Sequence, residues 1–375
     1  MTDAASGLYI HIPFCRSKCP YCSFYSSPST KLIPAYLKAL GQEMDLCRPG
    51  FSTFDTVYIG GGTPSLLSLE ELGAIMEGVT KKFRISSGAE ITMEANPADL
   101  DHQSLAGLKQ LGFNRLNIGV QSFDDKLLKF LGRRHNRHEA IEAIAAAQAA
   151  GFDNLGIDLI YGVPDQELPV WQETLRLALS FRPAHLSCYQ LTLERSTPLH
   201  LRLLQDNLTL PDEEQCADFF FRTAATLQEA GYQHYEVSNF ARDETACSRH
   251  NQKYWQHVPY LGLGPAAHSF QEDKRWWNKA DLAQYLRDCG KGIAPVEAAE
   301  SLTPDNLRLE ALFLGLRTSR GIDLASFNNR YGCDLLAEKA GAIKQFIERG
   351  LLEINGVFLQ PTLNGMAVAD TLALM

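Results

Sequence analysis

Three cysteines near the amino terminus, Cys15, Cys19 and Cys22, form the pattern CxxxCxxC. A structural zinc site closes a tetrahedron with four protein ligands, so three thiolates are one too few. A cubane iron–sulfur cluster has four irons, and three thiolates leave one iron open to a small molecule. The residue types and spacing therefore favour a cluster that binds a further ligand.

The cysteine spacing resembles the signature of the radical S-adenosylmethionine superfamily. This resemblance implies a [4Fe-4S] cluster on the three cysteines, with the amino and carboxylate groups of S-adenosylmethionine on the open iron. It also implies an electron donor that reduces the cluster. A zinc loop, three ordinary thiols and a disulfide are the alternatives that the pattern leaves open.

A run of glycines, Gly60 to Gly62, precedes Thr63 and Pro64 directly after a predicted strand. Because glycine has no side chain, its backbone amides can closely approach a charged ligand. A tight turn between a strand and a helix would use the same residues. Next to the cysteine motif, the run resembles the superfamily's loop that holds the methionine amino group.

Four polar residues fall at or just beyond the ends of predicted strands: Glu94, Gln121, Arg133 and Asp158. Apolar residues are the default on buried strands, so polar groups at this end favour a ligand site. Taken singly, each is more typical of a solvated or ion-paired residue. Glu94 and Asp158 suit ribose hydroxyls or the methionine ammonium, and Arg133 suits the methionine carboxylate.

The elements that position these residues alternate between short β-rich runs and amphipathic helical patterns. Such alternation predicts parallel βα units with right-handed crossovers. With six strands rather than eight, we expect an α/β fold with an open six-stranded parallel (β/α)6 partial TIM-type barrel and ligands at the strands' carboxyl ends. The predicted strands begin at Leu8, Thr56, Glu90, Arg115, Asn154 and His185.

The remainder of the chain changes in pattern. A helix is predicted from Asp212 to Ala230, and residues 250–270 are aromatic-rich and predict an irregular functional loop. After Thr303, three helices, a hairpin at Asn355-Gly356 and a last helix predict a small winged-helix-like α+β domain. We expect a barrel with a cluster loop over 1–240, a connecting region over 241–300 and a carboxyl-terminal domain over 301–375.

Length and composition indicate an ordinary globular protein of 375 residues, 45% of them hydrophobic. The net charge of -9 argues against general attraction to nucleic acid or anionic lipid. The first residues contain neither a basic nor an apolar leader region, and apolar runs are too short to span a bilayer. We expect a cytoplasmic protein with no nucleic-acid partner and no membrane span.

Five segments, HIPFC, GGGTP, EANP, GVQSF and IDLIYGVP, occur in an order that resembles the family of oxygen-independent coproporphyrinogen III dehydrogenases and their haem-chaperone relatives. The resemblance covers nearly the whole chain. It implies that the S-adenosylmethionine contacts are Tyr9, Tyr21, Gly61, Gly62, Thr63, Glu94, Gln121, Arg133, Asp158 and Thr192.

Two departures separate this chain from the dehydrogenases. The dehydrogenases carry a fourth cysteine in CxxxCxxCxC, where this sequence has Phe24, and a long amino-terminal extension, where only eight residues precede Tyr9. Both departures argue against radical decarboxylation and favour the chaperone branch. We therefore expect this chain not to convert coproporphyrinogen.

The segment from His250 to Trp255 resembles the HNxxYW motif associated with haem in the chaperones. The resemblance implies haem contacts from His250, Asn251, Tyr254 and Trp255. An imidazole can ligate haem iron while aromatic rings pack on the macrocycle. By residue types alone, a structural histidine among core aromatics is the stronger reading. Other candidate axial ligands are Cys247, His257 and His268, whereas His11 fits a supporting hydrogen-bond donor better.

The sequence leaves three possible functions for this chain. The first is a haem chaperone that binds haem and passes it to an unidentified acceptor protein, with a cluster and exchangeable S-adenosylmethionine. The second is an oxygen-independent coproporphyrinogen III dehydrogenase, and the third is a radical enzyme with an unrelated substrate. The sequence favours them in that order.

Overall fold

The computed structural model describes residues 5–47, 50–51, 53–206 and 208–372. Its strands are β1 (Ser6–Ile12), β2 (Thr53–Gly61), β3 (Arg84–Ala95), β4 (Arg115–Gln121), β5 (Asn154–Tyr161), β6 (His185–Gln190), β7 (Gln233–Glu236), β8 (Asn239–Ala241), β9 (Tyr260–Leu263), β10 (His268–Gln271), β11 (Lys274–Asn278), β12 (Val296–Ser301), β13 (Ile322–Asp323), β14 (Leu352–Asn355) and β15 (Phe358–Pro361).

The helices that accompany these strands are α1 (Ile33–Cys47), α2 (Leu69–Lys82), α3 (His102–Gln110), α4 (Asp125–Phe130), α5 (Arg137–Ala149), α6 (Leu168–Ser180), α7 (Pro198–Asp206), α8 (Glu213–Glu229), α9 (Arg249–Trp255), α10 (Leu282–Gly290), α11 (Pro304–Gly315), α12 (Leu324–Tyr331), α13 (Leu335–Glu338), α14 (Ala340–Glu348), α15 (Leu363–Ala367) and α16 (Ala369–Leu372).

The six predicted strands are confirmed as β1 to β6, which lie side by side in sequence order and pair in parallel. Helices connect them, as crossovers between parallel strands require. Their apolar side chains form the main core, in which Leu8, Ile59, Leu116 and Ile157 are fully buried. Since the strands are parallel, their carboxyl ends meet at one edge, where the polar residues lie.

Local sequence signals explain where the predicted helices begin. Ser68, Asp101, Asn136 and Asp212 each accept a hydrogen bond from the backbone three residues later, and each forms a reciprocal capping box. Such caps satisfy amides that the first helical turn leaves unpaired. The helix predicted from Asp212 to Ala230 is confirmed as α8.

The prediction that residues 250–270 form an irregular stretch is wrong. They contain α9, β9 and β10, and β9 pairs in parallel with β1 on the edge opposite β2. Beyond β9, the strands β10, β11 and β12 continue the sheet in antiparallel order. On the other edge, β8 and β7 add to β6, which gives twelve strands in one sheet of the described residues. Four- and five-residue strands carry too short a pattern to be read as strands.

The carboxyl-terminal segment has its own core and a three-stranded antiparallel sheet in the order β13-β15-β14. The predicted hairpin is confirmed as β14 and β15, and the first two helices after Thr303 begin at Pro304 and Leu324. The third predicted helix divides at Lys339 into α13 and α14. No helix in the described part of the chain is long and apolar enough to cross a membrane.

Candidate cluster and S-adenosylmethionine site

The cysteine loop and the glycine loop leave neighbouring strands at the same level. In the register of β1 and β2, Ile12 lies opposite Gly61. The pairing continues past the strands, because the Gly62 amide donates to the carbonyl of Ile12 and the Thr63 amide donates to that of Phe14, both at 2.8 Å. The Thr63 hydroxyl then lies 3.3 Å from the sulfur of Cys15. The two sequence motifs therefore form one site.

All three motif cysteines are half-buried free thiols. Burial raises the pKa of the Cys22 thiol, and the neighbouring Cys19 and Cys15 raise it further, so the three thiols lie within electrostatic reach of one another. In the described residues, no three His, Cys, Asp or Glu side chains form a group that could hold a metal ion. In a cubane each thiolate caps a different iron, so its sulfur ligands need not converge on one point.

The glycines beside the cysteines leave no room for side chains. Gly61 has a φ of 105°, and a Cβ there would lie 2.5 Å from Nδ1 of His11. A Cβ on Gly62 would lie 2.5 Å from the Phe14 carbonyl oxygen. The His11 ring is fixed by hydrogen bonds with the Tyr25 carbonyl at 2.8 Å and the Tyr9 hydroxyl at 3.1 Å. His11 thus packs against Gly61 and forms hydrogen bonds beside the glycine loop, in keeping with the supporting hydrogen-bond role predicted for it.

Two carboxylates face the site from β3 and β5. Glu94 accepts hydrogen bonds from the Tyr58 hydroxyl at 2.7 Å and the Gly61 amide at 3.2 Å. Burial raises the pKa of Glu94 to about 7, and the charge of Asp158 adds to this shift. Burial also raises the pKa of Asp158 to about 6. The charges of Arg115 and Arg133 oppose the shift of Asp158, and a cationic ligand beside the two carboxylates would favour their ionised forms further.

Arg133 joins the cysteine loop to the end of β4. Its guanidinium donates to the Gly119 carbonyl at 2.6 Å and lies 3.5 Å from the Cys19 sulfur. A Cβ on Gly119 would lie 2.9 Å from the Gln121 amide and 3.4 Å from the guanidinium, so this glycine makes room for both side chains. Gln121 itself has a φ of 68°, an unusual value for a residue other than glycine. Burial raises the pKa of Tyr21, whose neighbours are Arg133 and Cys19.

The structure brings most of the predicted S-adenosylmethionine contacts to this edge of the sheet. Tyr9 joins them from β1, 6.1 Å between ring centroids from Tyr58. Thr192 differs, because it is exposed beyond β6 and its hydroxyl contacts the Gln190 carbonyl at 3.5 Å. Sequence reasoning missed Tyr58, although the alternation in TVYIGG places it on the same face of β2 as Gly60.

The donor set fits S-adenosylmethionine. One oxygen of Asp158 and Nε of Arg133 are buried without a hydrogen-bond partner in the described residues. Orphaned polar atoms of opposite charge suit a ligand that carries both signs. Glu94 and Asp158 match the cationic groups of this ligand, and Arg133 matches its carboxylate.

His250, the predicted haem contact, has both ring nitrogens within hydrogen-bond distance of neighbouring side chains. The ring is buried on α9, its Nδ1 is 2.8 Å from the Thr56 hydroxyl, and its Nε2 is 2.9 Å from the Tyr254 hydroxyl. Burial lowers its pKa to about 3, with the Lys253 charge adding to the shift. Both nitrogens therefore have a hydrogen-bond partner in this structure. The ring has the hydrogen bonds of a structural histidine, and its contact with haem stays a prediction.

The other members of the motif point to different places. The backbone amide of Asn251 donates to the Ser248 hydroxyl at 3.2 Å, so this residue takes part in the N-terminal cap of α9. Tyr254 packs edge-on against Tyr260. The Trp255 ring lies under the guanidinium of Arg317, 5.6 Å from the ring centroid.

Comparison with known proteins agrees with this geometry. The family model described as the Radical SAM superfamily matches residues 9–178, and the HemN C-terminal domain matches residues 302–368. The protein named "Heme chaperone HemW" from Synechocystis sp. is 36% identical over 93% of this chain and 86% of that protein. The chain belongs to the HemW family. The HemW protein of Bacillus subtilis is 34% identical and covers 92% of each chain.

Outside the HemW family, a solved structure matches nearly the whole fold. Coproporphyrinogen III oxidase (HemN) from Escherichia coli, described as a radical SAM enzyme, is 25% identical with a TM-score of 0.84. The match covers 99% of this chain and 89% of that one. Membership of the superfamily implies a [4Fe-4S] cluster and S-adenosylmethionine.

Different residues of the site would bind the cluster and the charged groups of S-adenosylmethionine. Cys15, Cys19 and Cys22 would hold the cluster, which supplies an open iron and an electron when bound. The glycine loop excludes side chains, and Arg133 would orient an anionic group next to Cys19. Burial raises the pKa of both Glu94 and Asp158, so a cationic group bound beside them would favour their ionised forms.

Proposed function

We propose that this chain is a haem chaperone, which binds haem and transfers it to an acceptor protein in the cytoplasm. The observation that carries the proposal is the match to proteins named heme chaperone HemW over more than nine-tenths of the chain. The six parallel strands act as an open partial barrel for the cluster and S-adenosylmethionine, and an electron donor serves the cluster. The last segment serves as a winged-helix-like domain.

A local feature supports the chaperone over the dehydrogenase. Phe24 stands where the dehydrogenases place their fourth motif cysteine, and its side chain is 65% exposed. An exposed phenylalanine is no ligand, and it adds an apolar surface next to the cluster loop. The cluster with S-adenosylmethionine then serves to control haem release rather than to decarboxylate a porphyrinogen.

A second candidate function is oxygen-independent decarboxylation of coproporphyrinogen III. The likeness to HemN over the whole fold favours it, since a TM-score of 0.84 includes both the sheet and the carboxyl-terminal segment. A shared fold hosts different activities, so the two candidates must be separated by measurement.

One preparation separates the candidates. The full chain is reconstituted anaerobically with iron and sulfide, titrated with hemin, and assayed with coproporphyrinogen III and S-adenosylmethionine. A chaperone binds hemin stoichiometrically, passes it to an apo-haemoprotein and forms no protoporphyrinogen. Protoporphyrinogen formation would establish the second candidate, and a preparation that neither binds nor transfers hemin would refute the first.

The role of the cluster is tested with the motif cysteines. Serine at Cys15, Cys19 and Cys22 should abolish the iron–sulfur absorbance and change the rate of hemin transfer. Serine at Cys333, a half-buried cysteine of the carboxyl-terminal segment, is the matched control. An unchanged transfer rate in the cluster-free variant would remove the cluster from the transfer step.

A further inference from the structure

A cleft separates α9 from the carboxyl-terminal segment. Its volume is about 700 Å³, within the range that cofactor pockets occupy. Aromatic side chains line it from both sides: Tyr235 and Trp255 from the sheet domain, and Phe327, Tyr331 and Phe358 from the carboxyl-terminal segment. A planar, apolar ligand would bury its faces against such walls. The S-adenosylmethionine site uses none of these residues.

His257 lies in the wall of this cleft, two residues after Trp255. The ring is buried and stacks on Phe270 at 4.3 Å. Neither nitrogen makes a short hydrogen bond: Nδ1 is 3.5 Å from the Tyr331 hydroxyl, and Nε2 is 3.5 Å from a carboxylate oxygen of Glu310. Nε2 has no hydrogen-bond partner in the described residues. His257 thus differs from His250, whose two nitrogens are fully engaged.

The neighbours of His257 favour one of its two neutral tautomers. A carboxylate accepts protons, so Glu310 favours the hydrogen on Nε2 and leaves the lone pair of Nδ1 toward Tyr331 and the cleft. Histidines that bind metals commonly donate their other ring nitrogen to a carboxylate in this way. The Tyr331 hydroxyl stands where a metal on Nδ1 would lie, so it must move aside when the site fills.

Two arginine side chains line the cleft at the protein surface. Arg320 and Arg330 are exposed and line it, and the Arg330 guanidinium contacts the His257 carbonyl at 3.3 Å. Glu244 and Asp323 line it as well, so the cleft is mixed in charge rather than uniformly basic. Arginines at the rim suit carboxylates that project from a ligand buried by its apolar part.

We infer that this cleft is the haem site, with the Nδ1 atom of His257 on the iron and Arg320 and Arg330 at the propionates. The inference rests on the proposed function, which supplies haem as the occupant. Cys247 also lines the cleft, but burial raises the pKa of its thiol to about 11. It would have to lose that proton before it could bind, whereas a neutral imidazole binds directly.

The test is a hemin titration of the reconstituted full chain, followed by its Soret absorbance. His257→Gly should shift the Soret band and weaken hemin binding by at least about tenfold. Added imidazole should restore the band, because a free imidazole fits the space that the side chain leaves. Tyr331→Phe, which removes the hydroxyl in front of Nδ1, should bind hemin at least as tightly as the unchanged protein.

The rim is tested by a surface variant that leaves the core intact. Arg320→Ala should weaken hemin binding roughly fivefold and leave binding of hemin dimethyl ester unchanged, because the ester lacks the propionate charges. Arg349→Ala, an exposed arginine of the same segment outside the cleft, is the control.

The outcomes are distinguishable from failure of the proposed function. If the unchanged protein binds no hemin, the chaperone function itself fails. If it binds hemin while His257→Gly and Arg320→Ala keep its affinity and Soret band, the cleft is not the site and the function stands. A Soret band that changes in Cys247→Ala and not in His257→Gly would likewise overturn the assigned ligand.

Discussion

The imidazole of His250 stacks on the phenol ring of Tyr58, with the ring centroids 5.1 Å apart and an interplanar angle of 27°. The Tyr58 hydroxyl in turn donates to Glu94, which accepts from the Gly61 amide. The helix that carries the HNxxYW motif is therefore packed beneath the S-adenosylmethionine site. Trp255, on the same helix, lines the cleft to which we assign haem.

Alanine at His250 tests its structural role. The substitution removes two buried hydrogen bonds and a stacked ring, so we expect a loss of about 3 kcal/mol in the free energy of unfolding. Urea denaturation measures this loss, and His138→Ala, an exposed histidine on α5, should change stability by less than about 0.5 kcal/mol. The hemin Soret band should keep its position. A folded His250→Ala protein with a shifted band would restore His250 as the iron ligand.

The pH dependence of S-adenosylmethionine binding follows from the two raised carboxyl pKa values. Glu94 with a pKa of about 7 and Asp158 with a pKa of about 6 are protonated in acid and ionised in mild base. A cationic ligand prefers the ionised forms, so its affinity should rise between about pH 6 and pH 8. Equilibrium dialysis of Glu94→Gln should show weaker binding and a flatter rise. An equally steep profile in this variant would contradict the role of Glu94.

The same carboxyl shift predicts how stability depends on pH without ligand. The folded-state pKa of Glu94 lies above its ordinary value of 4.5, so the folded protein holds its proton longer than the unfolded chain. This contribution to stability is complete below about pH 4.5 and is lost as the pH rises toward 7. Thermal unfolding should show a smaller loss over this interval in Glu94→Gln than in the unchanged protein. Glu77→Gln, on the exposed face of α2, should leave the slope unchanged.

Neighbouring arginines provide a matched pair. Arg133 contacts Cys19 and Gly119, whereas Arg134 pairs with Asp99 at 2.7 Å. Arg133→Gln should weaken S-adenosylmethionine binding by about tenfold or more, because it removes the charge opposite the ligand carboxylate. Arg134→Gln should bind the ligand normally. Equal affinities in the two variants would exclude Arg133 from the site.

A buried carboxylate forms hydrogen bonds with residues at the ends of β9 and β11, two strands that the sequence did not predict. Glu43 on α1 accepts from the Gly264 amide at 2.8 Å, the Tyr285 hydroxyl at 2.6 Å and the Asn278 amide. Glu43→Ala leaves these donors buried and unpaired, so we expect a loss of about 3 kcal/mol in stability. Asp45→Ala, an exposed carboxylate on the same helix, should cost less than about 0.5 kcal/mol. Similar losses in both variants would contradict this anchoring role.

The sequence by itself determined the cluster motif, the six parallel strands and the capped helices, because each depends on residues close together in the chain. Cys15, Gly61 and Glu94 could be placed at one edge, since parallel strands bring their carboxyl ends together. Tertiary structure decided the features that depend on residues far apart in the chain. The short strands β9 to β12 depend on pairing beside β1, and the states of His250 and His257 depend on partners far along the chain. His250 begins the aromatic motif and His257 follows it, but only the fold shows that Thr56 and Tyr254 hydrogen-bond the His250 ring while Nε2 of His257 has no hydrogen-bond partner in the described residues.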